Sequence, residues 1–228
     1  MDGPLIEARG LDKNFGISPV LRNVNLKVRG GCGALIVGRN GAGKSTLVRI
    51  LAGLSAPSSG QALLFGLPGR ELEPAWRRRV GLLTHQSFLY PNLTAVENLQ
   101  FYAELYRFRL DGRALEQWLK RIGLTAFAKE RVRTFSRGME QRLALARAML
   151  AVPDALLMDE PFAALDADGA KLVTSLLREA LTRGCAAVIT AHEPLQLDGM
   201  TLEVRELVRG RLMAPSESFA KPRSAMTG

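Results

Sequence analysis

Gly38-Arg39-Asn40-Gly41-Ala42-Gly43-Lys44-Ser45-Thr46 fits the pattern G-x-x-x-x-G-K-[ST] through Gly38, Gly43, Lys44 and Ser45. It lies between an apolar run at 34–37 and an apolar-periodic stretch at 46–54, the strand, loop and helix order that gives the pattern its meaning. Chance alone would produce the four positions in roughly one chain of this length in a hundred, without supplying the flanks. Glycines remove side chains that would hold the backbone away from a polyphosphate, and successive N–H groups then point at the anion together with the helix N-terminus. Lys44 supplies charge at the β- and γ-phosphates, and the Ser45 hydroxyl is placed to ligate Mg²⁺.

Length and composition bound what can be built around that loop. With 228 residues and 47% hydrophobic content, the chain can bury a sizeable core, one main domain with room for a subdomain. No apolar run reaches the roughly 18 residues needed to cross a bilayer, and residues 1–10 lack the basic-then-apolar pattern of an export signal, so a cytosolic location is expected. Cys32 and Cys185 lie far apart and outside any C-x-x-C spacing, which predicts free thiols. The formal charge of +9, from 31 Lys and Arg against 22 Asp and Glu, suits nucleic acid, an anionic membrane face, an acidic partner or a merely solvated basic surface. Charge alone does not choose among them.

Upstream of the loop, 5–11 and 21–28 read as strands, the second alternating Val24, Leu26 and Val28 with Asn23, Asn25 and Lys27. A small antiparallel sheet is expected there. Downstream, 61–67 and 80–84 are strand-like, Pro68, Gly69 and Pro74 mark a loop between them, and Arg77 to Arg79 read as a solvated face. From 87 to 152 the pattern turns helical. Thr94-Ala95-Val96-Glu97 is a capping box, followed by Leu99, Tyr102, Ala103 and Tyr106 at helical spacing. A second helix is expected at 114–122, ending near Gly123, and a third at 138–151, stopping before Pro153. The α/β alternation resumes with strand 155–158, helix 170–183 and strand 186–190, then two short strands within 202–213. This divides the chain into an α/β core (1–86 and 153–213), an inserted helical subdomain (87–152) and a mobile tail (214–228), where periodicity stops.

Leu156-Leu157-Met158-Asp159-Glu160 is an apolar strand ending in two carboxylates. Beside a phosphate loop, that is the placement for Asp159 to hold Mg²⁺ and for Glu160 to act as base on an attacking water. Two-metal chemistry would need more clustered carboxylates than this stretch carries.

In this order the motifs resemble the ATP-binding cassettes of ABC transporters, over 5–213. The resemblance implies an α/β fold, a P-loop NTPase (RecA-like) core with an N-terminal antiparallel β subdomain and an inserted helical subdomain. It also implies hydrolysis of ATP with Mg²⁺, all of Gly38 to Thr46 cradling the nucleotide. Further roles come with it. Gln86 matches the family's glutamine loop, placed near metal and water, and His192, in Thr190-Ala191-His192-Glu193, matches the switch histidine that senses the γ-phosphate. Ala164-Leu165-Asp166 matches the D-loop, with Asp166 or Asp168 also a candidate cap of the next helix, and Phe15 stands where the family places an adenine-stacking aromatic, usually Tyr. Phe135-Ser136-Arg137-Gly138-Met139-Glu140-Gln141-Arg142 occupies the place of the signature L-S-G-G-Q; Ser136 and Gly138 are kept, while Arg137 replaces the first glycine and Met139 the glutamine. In the family, that serine and the N–H groups after it grip ATP bound to the opposite subunit, which implies a homodimer or paired cassette.

Within the family, 84–90, 93–99 and 134–139 resemble the ATPase subunit of the heme exporter of cytochrome c maturation. This implies integral membrane transporter subunits docked near Gln86 to Tyr90, at the cytoplasmic face of the membrane, and no nucleic-acid partner. Heme itself is not expected on this chain, which has no C-x-x-C-H and only two histidines, His192 and His85; the latter reads as structural or coupling. Other readings stay open: an ABC exporter of a drug or lipid, a soluble ABC ATPase on ribosomes or DNA, and a P-loop kinase. The soluble ATPases carry paired cassettes or long coiled-coil insertions, and a kinase needs an acceptor pocket, against which the Ser136 region and His192 argue.

Overall fold

The computed structural model describes residues 3–69, 71–163, 165–195, 197 and 199–216. β1 (Ile6–Phe15) and β2 (Ser18–Val28) pair antiparallel with Ile6 opposite Val28, and β2 buries Val24, Leu26 and Val28 while exposing Asn23, Asn25 and Lys27. β3 (Gly33–Val37) enters a second sheet, and the phosphate loop carries it into α1 (Lys44–Leu51). β4 (Ser59–Leu64) returns to the free edge of β1. The single strand expected at 61–67 breaks here. Phe65 (φ 56°) and Gly66 (φ 82°) form a two-residue turn into β5 (Leu67–Pro68), with Leu64 opposite Leu67. Left-handed conformations at both central positions match the turn to the twist of the flanking strands.

The next loop holds one helical turn, α2 (Pro74–Arg77), with Pro74 at a position where no N–H is needed. Arg77 and Arg78 are exposed, as the sequence predicts, but Arg79 is half-buried and leaves that solvated face. Arg79 Nε lies 2.5 Å from Asp154 Oδ2, its guanidinium 4.8 Å from the Phe65 ring and 4.7 Å from Trp76, and Arg77 Nε donates to the Leu72 carbonyl at 2.8 Å. Flat cations beside aromatic faces are held by dispersion and the ring quadrupole together.

β6 (Val80–Leu83), β7 (Ala155–Asp159), β8 (Ala186–Ala191) and β9 (Leu202–Val208) join β3 in a parallel arrangement, and β10 (Arg211–Met213) adds an antiparallel edge, in the order β10-β9-β3-β8-β7-β6. β9 thus runs beside β3 as a seven-residue strand of the main sheet, more than the short terminal strand expected. Ser216 N–H donates to Glu206 Oε2 at 2.9 Å, and residues 217–228 of the expected tail lie outside the described residues.

Between β6 and β7 come α3 (Ala95–Leu105), α4 (Gly112–Arg121), two single 3₁₀ turns and α5 (Arg137–Met149); α6 (Ala167–Thr182) follows β7. The capping box is present, Thr94 N–H donating to Glu97 Oε2 at 2.7 Å and Glu97 N–H to Thr94 Oγ1 at 3.2 Å. α1, α4, α5 and α6 start one to three residues before the expected positions, because their first turns carry few apolar side chains to mark a period.

The central strands read as continuous apolar runs since both faces are covered. Ala34, Ile36, Leu157 and Val188 pack with α1 and the antiparallel sheet; Leu35, Val37, Leu156, Met158 and Ile189 pack with α5 and α6. α5 belongs to two clusters. Its Ala144, Leu145 and Met149 meet the sheet, while Leu143, Ala146 and Leu150 just beyond it meet Leu99, Tyr102, Leu115 and Leu119 of α3 and α4. Both cysteines are free, and burial, reinforced by Asp154, pushes the Cys185 thiol up to about 12.

Candidate functional site

Parallel strands deliver their carboxyl ends to one edge of the sheet, where ligands of open α/β folds bind. β3 ends in the phosphate loop. Gly43 (φ 107°) takes a left-handed conformation just before α1, and a Cβ on it would sit 3.0 Å from Val20 O. A Cβ on Gly38 would come within 2.8 Å of Leu207 O, so the loop runs tight against β9. Lys44, 4% exposed, turns back into the loop and donates to Gly38 O at 2.7 Å and Arg39 O at 3.3 Å. Asn40 to Thr46 line an open cavity of about 870 Å³ whose other walls are Val20, His85 and Glu160. Arg39 is exposed beside it.

β7 brings Asp159 to the same edge, 5% exposed. Glu160 follows in a left-handed turn, φ 52°, with its carboxylate at a point of convergence. Oε1 lies 3.3 Å from Lys44 Nζ; Oε2 lies 2.9 Å from His192 Nε2 and 3.6 Å from His85 Nε2. A carboxylate ringed by an ammonium and two imidazoles, opening on the cavity of the phosphate loop, is placed to accept a proton from water. β8, paired to β7 with Thr190 opposite Asp159, supplies His192 just past its end.

The signature stretch lies apart from the phosphate cavity. Ser136 caps α5, its Oγ accepting the Met139 N–H at 3.3 Å, and Gly138 has nothing within 4 Å of where a side chain would be, leaving the helix N-terminus open. The next three side chains of α5 each hold a different segment. Glu140 Oε1 accepts from Ser87 Oγ at 2.5 Å, Gln141 Nε2 donates to Pro161 O at 2.8 Å, and Arg142 Nη2 donates to both oxygens of Asp166 at 2.7 and 3.0 Å. Asp166, rather than Asp168, caps α6 through the Gly169 N–H at 2.8 Å; that bond, with the Arg142 guanidinium, holds its carboxyl below the usual range. Ala164 lies outside the described residues.

Besides Ser136, Gly138 and Asp166, two more predicted residues lie off the phosphate cavity. Gln86 is exposed and does not line the phosphate cavity; its carbonyl accepts from Thr84 Oγ1 at 2.8 Å, and the preceding residue, His85, also exposed, lines the cavity instead. Phe15 is 57% exposed at the end of β1 with Lys13 Nζ 4.9 Å from its ring centre, also off the cavity wall. Sequence reasoning overlooked three contacts at the site: His85 on Glu160, Val20 in the wall, and the buried Thr190. Only Thr190 left a signal, as the one hydroxyl ending the apolar run Ala186 to Ile189.

Residues 21–163 match the ABC transporter family. The chain belongs to that family. It is 34% identical over 204 residues to the cytochrome c biogenesis ATP-binding export protein CcmA 2 of Cupriavidus metallidurans, covering 90% of this chain and 97% of that protein. It is also 34% identical over 213 residues to the bacitracin transport ATP-binding protein BcrA of Bacillus licheniformis, covering 92% and 68%. A solved dimer of the ATP-binding cassette MJ0796, in a post-hydrolysis state with ADP and Pi, superposes with a TM-score of 0.78 at 28% identity, over 91% of this chain and 96% of that one. The expected P-loop NTPase architecture is thereby met, and the ABC chain described here is an ATP-hydrolysing transport ATPase, the ATP-binding subunit of its transporter.

Proposed function

We propose that this ABC ATPase drives heme export for cytochrome c biogenesis, as a peripheral subunit at the cytoplasmic face of the membrane. One observation carries the choice: the chain runs alongside 97% of CcmA 2, nearly end to end. No helix among the described residues is long and apolar enough to cross a membrane, and in this reading attachment comes from docking. The seat for the membrane partner is a groove of about 980 Å³ behind Gln86 to Tyr90, lined by Leu54, Leu72, Phe88, Leu105 and Tyr106 with the buried Arg147. Heme stays with the membrane subunits.

In the chemistry we infer, Lys44 and the loop N–H groups bind the β- and γ-phosphates of ATP. Ser45 and Asp159 offer a hydroxyl and a carboxylate, and Asp159 Oδ1 already holds the Thr190 hydroxyl, which leaves Oδ2; oxygen donors of this kind suit Mg²⁺. Bound there, Mg²⁺ would neutralise charge developing on the phosphates. Glu160 takes the proton of the attacking water, and His192 orients Glu160. Gln86 joins the site only if its segment moves inward. Phe15 offers an exposed ring face for the adenine.

Ser136 and Gly138 complete the site of a second chain. Ser136→Arg should leave ATP binding to the monomer intact and weaken the nucleotide-driven dimer by about tenfold or more, because a bulky unpaired charge would be buried there. Light scattering on a hydrolysis-blocked background reads the mass change. A dimer as strong as the parent's would remove Ser136 from the shared site.

The equal identity to BcrA favours a second reading, an exporter of another substrate such as a drug or lipid. Deleting the chain in its host and staining membranes for heme covalently bound to c-type cytochromes separates the two. Loss of holocytochrome c is the expected result, and co-purified membrane subunits should be of the heme-handling kind; unchanged holocytochrome c would rule heme export out.

A further inference from the structure

We propose that Thr190 is a positioning residue for hydrolysis, a single hydroxyl that sets both the metal-side carboxylate and the base. The inference rests on the reading of Asp159 and Glu160 given above. Thr190 is fully buried at the end of β8, directly opposite Asp159 in the parallel register. Its Oγ1 makes two bonds of opposite sense: it donates to Asp159 Oδ1 at 2.7 Å and accepts the Glu160 N–H at 3.0 Å. The sense is forced. A backbone N–H can only donate, so the threonine oxygen accepts there, and its one proton is left for the carboxylate.

The first bond commits one oxygen of Asp159 and fixes the plane of the carboxyl group. The second acts on Glu160, which holds φ 52°, a conformation costly for a residue with a side chain and kept only where neighbours over-determine it. Two residues beyond Thr190, His192 Nε2 reaches Glu160 Oε2 at 2.9 Å. The end of β8 therefore grips Glu160 at its backbone nitrogen and at its carboxylate. With the nitrogen released, the turn can relax and the carboxylate loses its aim at the cavity mouth, although every group that touches ATP is still present.

Thr190→Val keeps the shape and the β-branch and removes only the hydroxyl. Loss of such an outer partner typically costs about 10- to 100-fold in activity. We expect kcat to fall by that factor with KM for ATP within about threefold of the parent, and Thr190→Ser to recover most of the turnover. ATP affinity in EDTA supplies a readout apart from turnover and should stay near the parent's, while the melting temperature of the nucleotide-free protein should fall by several degrees because two buried partners lose their bond. A merely structural hydroxyl would move affinity together with rate. Should Thr190→Val not fold, Thr190→Ala against Thr190→Ser isolates the same hydroxyl. Glu160→Gln run in parallel tells the two failures apart: parent-like hydrolysis by Glu160→Gln overturns the reading beneath, whereas an inactive Glu160→Gln beside a Thr190→Val within twofold of the parent, or a Thr190→Ser as slow as the valine variant, overturns the role of Thr190 alone.

Discussion

Replacing Glu160 with glutamine should lower ATP turnover by about 10²- to 10⁴-fold while ATP affinity stays at the parent level. Glutamine keeps the shape of the side chain and can still accept from His192, but it cannot take a proton from water. The geometry makes the test selective. Glu160 meets Lys44 at 3.3 Å, His192 at 2.9 Å and His85 at 3.6 Å, and its backbone nitrogen is held by Thr190, so the substitution leaves the turn anchored and removes the negative charge alone. The variant should accumulate as an ATP-bound dimer. Steady-state hydrolysis together with calorimetric ATP binding checks both halves, and turnover within a few-fold of the parent, where Lys44→Ala is inactive, would show that Glu160 is not the base.

Lys44→Ala should weaken ATP binding by about tenfold or more and depress turnover by about 10²- to 10³-fold. The affinity loss is that of one charge-assisted contact, roughly 1.5 to 3 kcal/mol. The rate loss reflects a preorganised donor at charge that grows in the transition state. Preorganisation is visible in the bonds of the side chain: it is 4% exposed, with its ammonium already fastened by Gly38 O and Arg39 O at the mouth of the loop, so little reordering is needed to meet a phosphate. Removing it also takes from Glu160 its fixed cation. Titration calorimetry gives the affinity directly, and an unchanged dissociation constant would sink the assignment of Lys44 to the phosphates.

What could be read from the chain beforehand depended on how far apart in sequence the partners lie. The phosphate loop was legible because all its parts are contiguous, and Asp159 with Glu160 because an apolar strand that ends in two carboxylates is conspicuous on its own. Alternation likewise marked β2, and the capping box marked α3. Thr190 was not legible as a partner of Asp159, since 31 residues separate them and only the β7 to β8 register joins them. The same holds for His85 against Glu160, and for Arg79, which looked solvated until Asp154, Phe65 and Trp76 were folded around it. The turn at Phe65 escaped because a phenylalanine in a left-handed conformation carries no local signature. Gln86 runs the other way, a residue singled out by a motif stretch whose side chain the fold leaves outside the cavity.

The double allegiance of α5 bears on how the molecule comes apart. Leu143, Ala146 and Leu150 face one cluster and Ala144, Leu145 and Met149 the other, so neither cluster can melt without stripping half the apolar surface of a helix the other still needs. Burial of a leucine or methionine side chain is worth roughly 1.5 to 3 kcal/mol, and several such side chains on a shared rod weld the helical block to the sheet into one cooperative unit. The seam near Pro153 is therefore a change of pattern along the chain and not a line of thermodynamic weakness. Excising the block to shrink the protein would unroof the face of the sheet that carries Met158 and Ile189, immediately beneath the edge where Asp159 and Thr190 meet.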